Sequence, residues 1–140
     1  MSNQMEQNRR YIKKNKHTSL SAFCIRKHQQ MHRRARASGA EFGLTAAEMR
    51  EVWEVQRGRC FFTDKEMEFI AYDELLRPNH SLGCCVRVRH DQGWYRNNIV
   101  WVVWPLALMM ATFEYDALEE TVLEWTKTHR LDKRYKVYFD

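Results

Sequence analysis

Apolar residues along this chain follow first a helical and then an alternating rhythm. Over residues 18–38, Leu20, Phe23, Ile25, Met31 and Ala35 form a loose stripe at helical spacing. Thr18 or Ser19 is available to cap its start and Gly39 to end it. Thr45-Ala46-Ala47-Glu48 is a capping box, in which hydroxyl and carboxylate satisfy reciprocal backbone donors. It opens a helix with Met49, Val52, Trp53 and Val55 on one face and a stop at Arg57-Gly58. Beyond this the pattern turns to strands. Residues 81–89, β-branched and Cys-containing, predict one, and His90-Asp91-Gln92-Gly93 a turn. Asn97-Asn98 then leads into a strand-to-helix segment over residues 99–111. Asp116-Ala117-Leu118-Glu119 is a second box-like start, for an amphipathic helix using Leu118, Val122, Leu123 and Trp125. Cys60-Phe61-Phe62 reads as a short strand or knuckle ending in Thr63-Asp64, and residues 65–80 as a short strand plus loop. Tyr135 to Phe139 reads as a last short strand. Residues 1–16, which mix Gln and Asn with Lys and Arg, read as a flexible or binding-ordered tail.

Length and composition bound these elements to one domain: 140 residues, 44% of them hydrophobic, suffice for one packed core. No apolar run reaches the roughly 18 residues that a membrane span needs. The N-terminus is polar and basic with no apolar segment of a secretory leader, so the chain is expected in the cytoplasm. The four cysteines, Cys24, Cys60, Cys84 and Cys85, make a vicinal pair and two isolated residues, which is no disulfide framework. Cys84 and Cys85, adjacent on a strand, face opposite sides and read as packing residues.

Charge changes the picture. Residues 1–40 hold ten Lys/Arg (Arg9, Arg10, Lys13, Lys14, Lys16, Arg26, Lys27, Arg33, Arg34 and Arg36) against one Glu, a net +9. The remaining residues hold 13 basic against 17 acidic side chains, a net −4. A basic arm on a mildly acidic body suits contact with phosphate. The helix over residues 18–38 is expected to dock through its apolar stripe while Arg26, Lys27, Arg33, Arg34 and Arg36 face outward.

A series of short segments runs through the centre of the chain. It reads Arg33-Arg34-Ala35-Arg36-Ala37, Phe42-Gly43-Leu44-Thr45 and Gly58-Arg59-Cys60-Phe61-Phe62-Thr63-Asp64, then Val86-Arg87-Val88. Gly93-Trp94-Tyr95-Arg96-Asn97-Asn98-Ile99 and Val103-Trp104-Pro105-Leu106-Ala107-Leu108-Met109-Met110 complete it. In order and spacing this series resembles the small HNH endonucleases (ββα-metal fold) often encoded by phages and mobile elements. The resemblance implies an α+β fold: an HNH-like ββα unit, a short β-hairpin plus helix, flanked by a basic N-terminal helix and a C-terminal amphipathic helix. It divides the chain into a flexible basic tail over residues 1–17 and a single domain over 18–140, with a basic helical extension over 18–39.

The resemblance also implies a missing active site. In the family a strand Asp ligates a divalent ion, a neighbouring His acts as base, and a helix His or Asn completes the site, so that the ion polarises the scissile phosphate. Those positions fall here on Val86, Arg87 and Ala107, and a common helix Lys falls on Met110. Val and Ala coordinate nothing, and Arg stays protonated and is a poor base. Asn98 matches the loop Asn that pins the turn, a structural role. The zinc-stapled branch of the family uses two Cys-x-x-Cys pairs, which fall on Cys60 with Thr63 and on Val103 with Leu106; one sulfur closes no tetrahedral site. Cys60 is therefore expected as a small buried hydrophobe.

The expectation is a catalytically inactive nucleic-acid-binding protein without a cofactor. Arg87, Arg89 and Arg96 join the basic arm, and Trp94 and Tyr95 are candidates for stacking on an unpaired base. Structured RNA such as ribosomal RNA is slightly favoured over DNA because no groove-reading motif is present. As a phage factor it would act on host machinery. Two alternatives stand beside this. A divergent endonuclease would use His80, His90 and Asp91 with Mg²⁺, helped by Asp73 and Glu74. A protein-binding inhibitor or adaptor would use the apolar helix over residues 103–110, whose other expected fate is burial by the C-terminal helix.

Overall fold

The computed structural model describes residues 3–15, 18–70 and 77–128. Among them are five helices and one two-stranded antiparallel sheet, an α+β arrangement. The helices are α1 (Asn3–Asn15), α2 (Leu20–Ser38), α3 (Ala46–Val55), α4 (Trp104–Thr112) and α5 (Tyr115–Thr128); the strands are β1 (Gly83–Arg87) and β2 (Ile99–Val103). Lys16, Asp73, Glu74 and the strand expected over residues 135–139 lie outside the described residues.

Local sequence fixes the helix ends. The Ser19 hydroxyl accepts from Ala22 N at 3.1 Å to start α2, and Gly39 closes it at φ 75°, the left-handed conformation that glycine adopts without strain. The box at Thr45 is fully formed: Thr45 Oγ1 accepts from Glu48 N at 3.1 Å, and Glu48 Oε1 accepts from Thr45 N at 3.0 Å. Pro105 sits in the first turn of α4, where its missing N–H costs nothing. The polar segment expected as a tail is helical over Asn3–Asn15, with mostly exposed side chains. Residues 65–70 form only isolated bridges, Arg59 with Glu66 and Glu68 with Leu82, in place of the expected strand.

Strand β2, Ile-Val-Trp-Val-Val, is buried along its whole length and pairs with β1 in the register Gly83 with Val103 and Arg87 with Ile99. Its β-branched residues suit a pleated surface covered by other elements. Helix α3 packs on β2 and α2 packs on α3, and Phe23 of α2 reaches Trp101 of β2 in the aromatic centre of the core. Trp53 and Trp101 meet edge to face at 5.0 Å, and Phe23 lies 5.7 Å from Trp101 and 5.2 Å from Phe69. The Trp101 indole N–H donates to Met49 O at 2.8 Å, so its polar atom is satisfied inside the core. The free side of β2 is closed by a side chain. Gln56 accepts from Trp101 N at 2.9 Å and donates to Trp101 O at 2.8 Å. Gly83 is required where Trp53 leans on β1, because a Cβ there would stand 2.5 Å from the indole. Helix α2 buries Phe23, Cys24, Met31 and Ala35 in the core.

Candidate functional site

The connection between β1 and β2 is a long loop that turns back on itself, and Asn98 holds it. This side chain, 3% exposed, is the one buried polar residue among the described residues. Its oxygen accepts from Arg89 N at 3.0 Å, and its amide donates to Arg89 O at 2.9 Å and Gly93 O at 3.0 Å. A side chain that reproduces backbone bonds in this way fixes a loop that has no ladder of its own. Arg87 adds a second tie. Its guanidinium donates to His90 O at 3.2 Å and Gln92 O at 3.1 Å, and lies over the Trp94 ring, 5.1 Å from the centroid.

Two cavities adjoin this loop, and Arg87 and His90 border both. The larger is an open cleft of about 820 Å³ between the end of α2, where Ser38 and Gly39 line it, and the loop residues Asp91, Gln92 and Asn97. The smaller, about 230 Å³, is walled by Val86, Trp94, Ala107, Met110 and Ala111. Val86 from β1 and Ala107 from α4, where sequence reasoning expected ligands to be missing, therefore face one space. That space does not fit a divalent ion, because the described residues that wall it include no carboxylate. The His90 imidazole Nδ1 is 3.2 Å from the Glu114 carboxylate, which is a pair and not a cluster. Asp91 is exposed on the cleft, and His80 is exposed with its ring 5.9 Å from Trp104, bordering neither cavity. Among the described residues no three His, Cys, Asp or Glu side chains are grouped to hold a metal.

Behind α4 lies a knuckle. The Cys60 carbonyl accepts from Asp64 N at 2.9 Å, and Cys60 N donates to Lys65 O at 2.8 Å. Burial pushes the Cys60 thiol up, but hydrogen bonds from the Thr63 side chain and from backbone at Val103, Thr63 and Phe62 leave it below its ordinary value. Thr63 and Val103 thus face the Cys60 sulfur, while Leu106 lines an apolar cavity with Thr63.

The basic side chains divide into three groups. Arg33, Arg34 and Arg36 on α2 and Arg89 on the loop are exposed, and none of them is in an ion pair among the described residues. Arg9, Arg10 and Lys13 are exposed on α1, with Arg10 paired to Glu6. The backbone of Lys14 belongs to α1. The other cations expected at the interface, Arg26, Lys27, Arg87 and Arg96, are engaged by the protein. Lys27, expected outward, is half-buried against the core. Burial lowers its ammonium below the ordinary value, nearby Arg34 and Arg26 add to that, and Cys84 opposes it. Arg26 donates to Thr18 Oγ1 at 3.2 Å, and Arg96 Nε donates to Glu51 Oε2 at 3.1 Å.

A scan against family models finds no match, and searches of curated proteins and of solved structures find no significant similarity. The site therefore rests on its own chemistry.

Three of its residues carry no signal in the sequence. Glu114, Glu51 and Glu41 each hold a residue far along the chain: His90, Arg96 and the Tyr95 hydroxyl, the last at 3.1 Å. Acceptance of that hydroxyl by Glu41 pushes the phenol up. Trp94 borders the smaller cavity with the Arg87 guanidinium over its ring, and Tyr95 borders the larger cleft.

Proposed function

We propose that this protein grips nucleic acid through its phosphate backbone, on an HNH-like ββα unit that has lost its catalytic side chains. The observation that carries this is the surface of α2. Its 19 residues include five Lys/Arg and no Asp or Glu, and its three arginines nearest the C-terminal end are exposed with no carboxylate partner among the described residues. An arginine row in that state presents forked donors that match phosphate oxygens. The resemblance to the HNH scaffold is supported by the hairpin that runs straight into α4, by Val86 and Ala107 facing one cavity, and by the loop held on Asn98. Structured RNA is the preferred target, because an arginine-bearing helix beside a loop reads shape and phosphate without entering a groove. No divalent cofactor is required.

The test is binding of labelled duplex DNA, single strands and ribosomal RNA across a salt series, with cleavage followed in Mg²⁺, Mn²⁺ and EDTA. Replacing Arg33, Arg34 and Arg36 together by Ala is expected to weaken binding by at least about tenfold and to flatten the salt slope by about one for each phosphate that is no longer neutralised. Unchanged affinity would remove α2 from the interface. Metal-dependent cutting that His90→Ala abolishes would instead make the protein a divergent endonuclease.

A second reading has its own observation. Leu108, Met109, Phe113, Leu123 and Trp125 are exposed on α4, α5 and the turn between them, which favours a protein partner at that end. Binding there would be nearly indifferent to salt.

A further inference from the structure

The smaller cavity is the feature that phosphate binding leaves unexplained. We infer that it receives one unpaired nucleobase, which leaves the strand in the adjoining open cleft and enters between Trp94, Arg87 and Ala107. The inference rests on the nucleic-acid reading and adds to it a base-binding site.

Size comes first. At about 230 Å³ the cavity lies below the roughly 300–1,000 Å³ of pockets that hold drug-sized ligands, which leaves room for one small flat group. Its walls come next. Val86, Ala107, Met110 and Ala111 are apolar, and Trp94, Arg87 and His90 complete the lining. Bases stack on aromatic rings and on guanidinium planes, and Arg87 is already fixed over Trp94 by two carbonyl bonds, so little order is lost on binding. His90 offers a polar contact. Its Nδ1 lies 3.2 Å from the Glu114 carboxylate, so Nε2 is the ring nitrogen left to meet a polar edge of a base. Continuity completes the argument. The cleft that shares Arg87 and His90 with the cavity begins at Ser38 and Gly39, two residues beyond Arg36, so a backbone gripped by α2 would pass the exposed carboxylates Glu41 and Asp91 to reach the mouth of the cavity.

The experiment compares an RNA hairpin bearing one bulged adenine with the same hairpin carrying an abasic residue at that position. Binding is measured over a salt series for the full chain and for Ala107→Phe, which fills the cavity. Ala111→Leu, which narrows the mouth from an exposed position, serves as the second variant should the first fail to fold. The intact protein is expected to bind the bulged hairpin about tenfold tighter than the abasic one. Both variants are expected to lose that preference with the salt slope unchanged. Equal affinity for the two hairpins, or a preference that survives both variants, overturns the base site and leaves the grip on phosphate standing. Absence of salt-sensitive binding to either hairpin overturns the grip and the base site together.

Discussion

Helices α2 and α5 are both amphipathic, and they are seated in opposite ways. Helix α2 puts Phe23, Cys24, Met31 and Ala35 into the core and is capped at both ends. Helix α5 packs on α4 through residues such as Leu118, and leaves Leu123 49% and Trp125 60% exposed. Their charges differ as sharply. The outer side of α2 is cationic and the helix contains no carboxylate, whereas α5 carries Asp116, Glu119, Glu120 and Glu124 against Lys127. A helix anchored by aromatic packing can devote its outer face to charge, because its fold does not depend on that face. The acidic and apolar surface of α5 repels phosphate and retains apolar area in solvent. Under the proposed function a polyanion is expected to meet the molecule from the α2 side, and a protein partner from the other.

The largest test of this contrast is in stability. Trp101 is fully buried with its indole N–H bonded, and Trp101→Ala is expected to cost about 3–5 kcal/mol in urea unfolding. Trp125→Ala on α5 is expected to change stability by no more than about 0.5 kcal/mol. Similar costs at the two tryptophans would mean that α5 is as deeply anchored as α2, and the division of the molecule would fail.

A smaller effect belongs to the loop between the two regions. Asn98→Ala leaves the Arg89 backbone N–H and carbonyl without their side-chain partner, at a cost of about 1–3 kcal/mol. The Arg89 amide should exchange its hydrogen faster than in the native protein, while amides of α2 change only with global stability. If the Arg89 amide keeps its protection in the variant, the loop is held by Arg87 and Asn98 is dispensable.

What the sequence disclosed about this fold was local. Caps at Ser19, Gly39 and Thr45, the turn at Asn98 and the β-branched run of β2 all depend on neighbours a few residues away, and each stands where the pattern placed it. Composition pointed to a tail at residues 1–16 because the segment has too little apolar surface to bury, yet Asn3–Asn15 is helical; a short polar stretch reveals weakly whether it will form i,i+4 pairs such as Glu6 with Arg10. The candidate site was legible as a set of absences. On the HNH resemblance Val86 and Ala107 were expected at vacated ligand positions, but only the packing of α4 on β1 shows that they line a cavity. Lys27 looked like its neighbour Arg26 in the sequence, and tertiary contact with the core set it apart. Arg87 and Arg96 looked like free cations, and bonds closed by carbonyls and by Glu51 engage them.

The pairing of Arg96 with Glu51 gives the finest test, because it sits between the cationic face and the rest of the surface. The two side chains are 49% and 58% exposed, so water screens the pair, and breaking it should cost no more than about 0.2–1 kcal/mol of stability. Binding should respond in the opposite sense. Glu51→Gln removes a carboxylate that competes with phosphate for Arg96, so affinity for ribosomal RNA is expected to rise a few-fold, with a salt slope steeper by about one. Arg96→Ala in the same background should cancel the gain. A rise in affinity that persists without Arg96 would mean that Glu51 acts through its general field on the cationic helix. No change in either variant would place Arg96 outside the contact surface and leave α2 with Arg89 as the whole grip.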